Sequence, residues 1–418
     1  MNAPATGTGY AARIGLPRRS VLAAALTAGA MRARAATPIR VGVLNDMAGP
    51  FADLSGKGSV IAAEMAVADY RAAGGRLAVE VLAGDHQNKP DVASAIVRRW
   101  VDVDGVAAVV DVPNSAVALA VNQIMRDKDR SFLASSTATS DLTGKFCAPT
   151  TVQYVFDTWS LANSTARTLL QRGGDSWFFL TVDYAFGHAL ERDAAAIVTR
   201  LGGKVLGDAR HPLNTADFSS YLIAAQASGA KIVALADAGA DTVNAIKQAA
   251  EFGLTRVGPT GSGQRLAGLL VFLTDIHALG LAAAQGLLLT EAFYWDLNDS
   301  TRAWSHRFAA RHGGRMPTMN HAGVYSSLRA WLSAAEATDS LSGTRIIATM
   351  RAAPIADPLF GTVTIRPDGR AVHDMYLFQV KSPAESKGPW DYYTLIERIP
   401  AAQAFRPLAE GGCPLLAG

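Results

Sequence analysis

Cysteine is almost missing: Cys147 and Cys413 are the two in 418 residues. A disulfide-dense small scaffold and a four-cysteine zinc site are excluded at once. The eight histidines, at 86, 188, 211, 277, 306, 312, 321 and 373, form no H-E-x-x-H or short metal pair, so no metal is expected. Neither sign of charge dominates, with 39 Lys+Arg against 36 Asp+Glu, and nothing in that balance argues for a nucleic-acid partner. Long apolar runs are also lacking. The longest candidate, Leu266 to Leu289, is interrupted by Thr274, Asp275, His277 and Gln285, and falls short of the roughly eighteen uninterrupted residues of a membrane span.

Signatures of catalysis are absent too. There is no G-x-S-x-G elbow for a serine nucleophile. The loop AGPFADLSGKGS (48–59) imitates a P-loop, but six residues separate Gly49 from Gly56, and Gly58 rather than Ser or Thr follows Lys57. After Gly261 and Gly263, Leu266 occupies the last glycine position of a dinucleotide fingerprint. An enzyme would have no nucleophile, metal or cofactor to begin from, so a non-enzymatic role without cofactor is expected.

What is present begins with an export leader. Arg13, Arg18 and Arg19 precede an apolar stretch from Val21 to Ala30, and Ala33-Arg34-Ala35 offers small residues for cleavage. Residues 1–35 therefore read as a signal peptide. Arg18-Arg19 followed by Ser20-Val21-Leu22 also resembles a twin-arginine signal, so either the Sec or the twin-arginine route fits a periplasmic destination. Cleavage removes five arginines and no acids, leaving 34 Lys+Arg against 36 Asp+Glu, about −2. In an oxidising compartment the two distant cysteines suggest one disulfide tying the C-terminal tail to the body. Such a bridge is worth ~2–4 kcal/mol, with two buried thiols as the competing reading.

From Ile39 the chain alternates short β-branched runs with helical patterns. IRVGVL (39–44), LAVEVLAG (77–84), VAAVV (106–110) and SFLAS (131–135) form a first set, and SWFFLTV (176–182), KVLGDAR (204–210) and KIVALAD (231–237) a second. This predicts an α/β fold of two doubly wound parallel-sheet lobes. The last third, with GLLLTEAFYW (286–295), GTVTIRPDGR (361–370), HDMYLFQVK (373–381) and DYYTLIERI (391–399), is too short for a third lobe and predicts repeated crossings, hence a multi-strand hinge. The expected division is 37–155 plus 290–365 for the N-terminal lobe and 156–288 plus 366–418 for the C-terminal lobe and tail.

Ligands of doubly wound sheets sit beyond the carboxyl ends of the strands. There this chain places Asn114-Ser115 and ASSTATSDLT (134–143). Hydroxyls beside helix N-termini suit a carboxylate without a lysine; ordinary caps and solvated loops are the competing reading.

VGVLNDMAGPFADLSG (41–56), Asp69 with Gly74-Gly75, Asp85 with Pro90, Ser135 to Thr143, Tyr184-Ala185-Phe186-Gly187, Asp217-Phe218-Ser219 and Val257-Gly258-Pro259 recur in one order along nearly the whole mature chain. Together they resemble the type I periplasmic binding proteins of the leucine–isoleucine–valine-binding family, the solute receptors of ABC importers. The resemblance implies a ligand cleft between two lobes, an ABC permease of the inner membrane as partner, and a monomer. It implies that Ser115, Ser136, Thr137 and Ala138 hold a ligand carboxylate, with Asn114 beside them from the loop after 106–110, and Ala138 stands where amino-acid binders often place threonine. Leu54 would lie in the first loop, and Phe186 with Tyr184 would close from the second lobe. Thr260 stands where amino-acid binders commonly carry a glutamate for the ligand's ammonium. Either Asp237 or Asp241 replaces that acid, or the ligand has no ammonium; Asp241 reads equally well as a helix N-cap. The Phe293-Tyr294-Trp295 cluster, through Tyr294, would add a stacking wall. The expected ligand is a small organic, aromatic-type carboxylate. A branched-chain amino acid or amide receptor, and a sensor that transports nothing, are the alternatives.

Overall fold

The computed structural model describes residues 1, 7–10, 38–254, 257–258 and 261–416. The expected leader falls almost wholly outside them. The chain divides into two compact units, Met1–Thr37 and Pro38–Gly418, and the folded body described below is the second.

The first set of β-branched runs forms β1 (Ile39–Asn45), β2 (Val79–Asp85), β3 (Val106–Asp111), β4 (Ser131–Ala134) and β5 (Thr151–Gln153). They pair in parallel in the order β2-β1-β3-β4-β5. Every residue of β3 is buried, as a central parallel strand covered on both faces requires. The connections are α1 (Gly56–Ala72), α2 (Pro90–Asp102) and α3 (Ser115–Asp127). Pro90 opens α2 at the one helical position where a missing N–H costs nothing.

After α4 (Thr158–Gln171) the second set repeats the winding. β6 (Ser176–Val182), α5 (Ala185–Arg200), β7 (Lys204–His211), α6 (Ser219–Ala227), β8 (Ile232–Ala236) and α7 (Ala240–Glu251) follow. Next come the short pair β9 (Val257–Gly258) and β10 (Gly261–Ser262), then β11 (Arg265–Gly268). The second sheet runs β11-β8-β6-β7, again all parallel. In both sheets the second strand flanks the first on one side and the third flanks it on the other. The order therefore reverses beside β1 and beside β6, and loops leaving the sheet in opposite directions open a crevice there.

The last third adds α8 (Leu273–Leu279), α9 (Leu281–Ala284), β12 (Leu288–Glu291), α10 (Asp299–Arg311), α11 (Met319–Thr338) and α12 (Gly343–Arg351). It ends in β13 (Ile355–Asp357), β14 (Gly361–Ile365), β15 (Ala371–Val372), β16 (Met375–Val380) and β17 (Tyr393–Ile399). α11 packs on α1 and α12, and so covers the first sheet, while β12 pairs antiparallel with β16 beside α4. Where the chain passes between the sheets, the fully buried guanidinium of Arg370 donates to Phe156 O at 2.8 Å and lies 3.7 Å from Asp157. The expected Cys147–Cys413 disulfide is formed, with Cα atoms 5.6 Å apart. Among the described residues no helix is long and apolar enough to cross a membrane.

Candidate functional site

The carboxyl ends of the two sheets face one cavity, lined by Phe51, Leu54, Pro113, Ser136 and Ala138 from one side and by Tyr184, Phe186, Ala238, Leu270 and Phe272 from the other, with Asn320 completing it. Each side chain arrives there for a local reason. Asp46, just past β1, accepts the N–H groups of Gly49 (2.7 Å) and Phe51 (2.9 Å), and so folds the 46–55 loop back over the sheet. That turn buries Phe51 and Leu54.

β3 ends in a strained turn: Asp111 has φ +88° and Val112 has φ +62°. A β-branched residue in this region is a genuine outlier, sustained only where its surroundings over-determine it. They do. Val112 N–H donates to Leu44 O at 3.0 Å, and Thr137 Oγ1 donates to Val112 O at 2.7 Å. The Asp111 carboxylate accepts from Asn45 Nδ2 (3.0 Å), Ser55 Oγ (3.4 Å) and Ser136 Oγ. Pro113 then turns into the cavity.

Asn114 caps α3, its Oδ1 accepting the N–H groups of Ala116 (3.0 Å) and Val117 (3.1 Å). Ser115 Oγ accepts the Thr139 N–H at 3.2 Å, tying α3 to the loop after β4. Of the five residues expected around the carboxylate, Ser136 and Ala138 line the cavity. The hydroxyl of Thr137 is spent on the turn, and Asn114 and Ser115 stand one layer behind. Among the described residues, the N–H groups of Thr137 and Ala138 donate to no group of the chain.

On the second sheet, Tyr184 precedes the first turn of α5 and Phe186 lies within it, with ring centroids 6.0 Å apart. Gly187 allows that turn, because a Cβ there would stand 2.0 Å from Val182 O. Gly239 has φ +63°, and a Cβ there would lie 2.7 Å from Pro50 O, in the loop after β1. The loops of the two sheets thus meet backbone to backbone over the cavity. Phe272, stacked edge-on against Phe156 at 6.3 Å, supplies a further ring.

Asp237 is buried but outside the lining. Its Oδ1 accepts from Thr242 Oγ1 at 2.5 Å, and its Oδ2 lies 3.4 Å from His211 Nε2. Burial works against the imidazolium of His211, yet the carboxylate of Asp237 beside it pushes its pKa above the ordinary value. Asp241 accepts the N–H groups of Asn214 (3.0 Å) and Thr215 (2.7 Å). Burial, with Asp237 nearby, raises its pKa to about 6. Asp241 thus ties down the 214–215 loop and does not form the side-chain N-cap of α7.

Tyr294 is not brought to the cavity. Its hydroxyl donates to Trp390 O (3.0 Å) and accepts from Tyr392 N–H (3.1 Å), and its ring packs on Phe378 and Tyr393 beside β16 and β17. Thr260 lies outside the described residues.

Sequence reasoning did not single out Phe51, Pro113, Ala238, Leu270, Phe272 and Asn320. For Phe51 and Pro113 the signal was their place beside Leu54 and Asn114 in strand-end loops. Asn320 carried none: it enters on the first turn of α11, where Nδ2 reaches Ser55 Oγ at 3.4 Å and Oδ1 has no partner. The result is an apolar slot with four aromatic rings, polar groups from Ser136, Tyr184 and Asn320, and no charged side chain in its lining. Among the described residues no metal-binding cluster of His, Cys, Asp and Glu occurs.

Comparison with known proteins agrees with this geometry. A family model described as periplasmic binding protein matches residues 38–389. A solved periplasmic binding protein from Burkholderia mallei shares 43% identity, covering 91% of this chain and 99% of that one, with a TM-score of 0.86. A branched chain amino acid ABC transporter periplasmic ligand-binding protein from Burkholderia xenovorans shares 37%, covering 90% and 99%, at 0.79. A solute-binding protein of an ABC transporter from R. palustris, solved in complex with benzoate, shares the fold at 19% identity, 90% and 100% coverage and a TM-score of 0.77. No match was found among curated proteins. The chain belongs to the periplasmic binding protein family of ABC transporter solute-binding proteins.

Proposed function

We propose that this solute-binding protein captures a small aromatic carboxylate in the cavity between its two sheets and delivers it to an inner-membrane ABC permease. The observation that carries the reading is the lining: four aromatic rings, the hydroxyls of Ser136 and Tyr184, the Asn320 amide and no acid. An α-ammonium enclosed there would touch no carboxylate of the lining, and left unpaired it would cost several kcal/mol. A carboxylate finds better terms. Ser136 lies in the lining, the N–H groups of its neighbours Thr137 and Ala138 are free, and the N-terminus of α3 stands behind them, where partial positive charge favours an anion.

The branched-chain amino acid reading keeps one support, the name of the 37% identical B. xenovorans protein. It requires Asp237 to leave Thr242 and His211, or Asp241 to leave the Asn214 and Thr215 N–H groups, and reach the cavity. The division into lobes of 37–155 plus 290–365 and 156–288 plus 366–418, export through the N-terminal leader, and a monomeric state belong to the same proposal. Mass spectrometry of the small molecule released from denatured, freshly purified protein tests the ligand class. An aromatic acid supports the reading, and leucine, isoleucine or valine overturns it.

A further inference from the structure

The carboxylate of Asp111 lies directly behind Ser136, fully buried, and its hydrogen-bond partners are neutral. It accepts from Asn45 Nδ2, Ser55 Oγ and Ser136 Oγ. Among the described residues no lysine or arginine pairs with it. The titratable groups on the elements around it are few. From α11, His321 donates Nε2–H to Ser55 O at 2.9 Å and accepts the Thr318 N–H on Nδ1; burial holds its pKa down to about 3, so it is neutral. Past β1, Asp46 is occupied by Gly49 N–H, Phe51 N–H and Asn88 Nδ2. Past β2, Asp85 accepts from Met47 and Gln87 N–H, and His86 accepts the Asn88 N–H. The helix side of β3 contributes Asn114 and Ser115, which do not titrate.

A serine hydroxyl has one hydrogen. With Asp111 ionised, Ser136 donates that hydrogen to Asp111 and turns lone pairs to the cavity. A ligand carboxylate, which only accepts, would then meet an acceptor backed by a second buried negative charge. With Asp111 protonated the pattern inverts. Asp111 donates to Ser136 Oγ, and the serine hydrogen is released to the ligand.

Resting on the carboxylate reading above, we propose that Asp111 is the positioning residue that sets the hydrogen-bond polarity of Ser136, and that binding a carboxylate transfers one proton from solvent to Asp111. The strained Asp111–Val112 turn, φ +88° and +62°, serves this role by directing the acid into the cluster of donors. Burial favours the neutral acid, raising the pKa of Asp111 against the pull of Ser136, Ser59, Asn45 and Ser55.

The test is calorimetric titration with benzoate from pH 5 to 9 in pairs of buffers that differ in ionisation enthalpy. Wild-type protein should take up close to one proton per benzoate at the alkaline end. Its affinity should fall tenfold per pH unit above the Asp111 midpoint, because only the protonated fraction is competent to bind. Asp111→Asn, which presents an amide N–H to Ser136 as the neutral acid presents its O–H, should bind with no proton uptake and a flat pH profile. Difference infrared spectroscopy of the wild type needs no variant: benzoate should bring up a protonated carboxyl C=O band. Binding of benzoate with zero proton uptake across the range, or an Asp111→Asn profile as steep as the wild type, overturns this inference alone. No benzoate binding at any pH sinks the carboxylate reading and takes this inference with it.

Discussion

Breaking the Cys147–Cys413 bridge is a perturbation whose size can be worked from the fold. The cysteines are 266 residues apart, and loop-closure entropy for so long a loop gives about 5–6 kcal/mol as a ceiling. Long-loop bridges usually deliver less, about 2–4 kcal/mol, because residual structure in the unfolded chain already draws the ends together. The tail also has other moorings. Arg406 Nη2 donates to Ser140 O at 3.1 Å, and Arg366 Nη1 donates to Arg406 O at 2.7 Å. The Arg200–Glu410 pair at 3.5 Å is exposed and adds little. At about 2.1 cal/mol/K per residue over about 380 residues, a loss of 2–4 kcal/mol lowers Tm by about 3–5 °C. Differential scanning calorimetry of wild type against Cys147→Ser/Cys413→Ser should show this shift. Ligand affinity should be unchanged, since neither cysteine lines the cavity. A Tm within about 1 °C of wild type, with equal amide exchange in the tail, would refute the view that the bridge holds the tail to the body.

Three further outcomes are expected. Burial, opposed by the Phe272 N–H and reinforced by the charge of Asp237, raises Asp275 to about pH 7 from an unfolded value of 3.8. This group's stabilising share is therefore full below about pH 4 and lost as pH rises through 7, about 4 kcal/mol in all. Asp275→Asn should gain Tm on wild type between pH 5 and 8, and a constant difference across that range would count against the assignment. Gly239→Ala places a Cβ 2.7 Å from Pro50 O at a positive φ, so affinity should fall at least tenfold by calorimetry while the circular dichroism spectrum is kept; unchanged affinity would mean the two loops need not meet to bind. Phe186→Ala strips one ring from the slot and should cost about 1.5–3 kcal/mol of benzoate affinity, roughly ten- to a hundredfold. A near-neutral result would return Phe186 to a packing role.

The doubly wound plan was legible because period and alternation survive in the letters: five buried β-branched or small residues in a row at Val106–Val110 admit little else. Ser136 and Ala138 were legible as loop residues at a strand end, and Tyr184 and Phe186 through the family resemblance. What could not be read was where each hydroxyl and carboxylate spends its hydrogen bonds. Thr137 looks like Ser136 in sequence, yet its hydroxyl serves Val112 O across a turn whose positive φ no local pattern announces. Asp237 looked available, but His211 reaches it from the end of β7, 26 residues earlier in the chain. Tyr294 followed a strand as cavity residues do. That strand pairs antiparallel with β16, and its loop turns into the aromatic cluster there. Asn320 comes from a helix whose first turn lies 264 residues beyond Leu54, contacted there through Thr318 Oγ1, a proximity that only the tertiary fold creates.

The central claim is that the cavity is built for an aromatic carboxylate without an ammonium. Titration calorimetry of ligand-stripped protein with benzoate and with leucine, in one buffer at one pH, tests it most directly. Benzoate should bind at micromolar or tighter Kd, about −8 kcal/mol. Leucine, its ammonium unpaired among Phe51, Tyr184, Phe186 and Phe272, should bind at least a hundredfold more weakly. Tight leucine binding that Asp237→Asn abolishes, with benzoate inert, would contradict the claim.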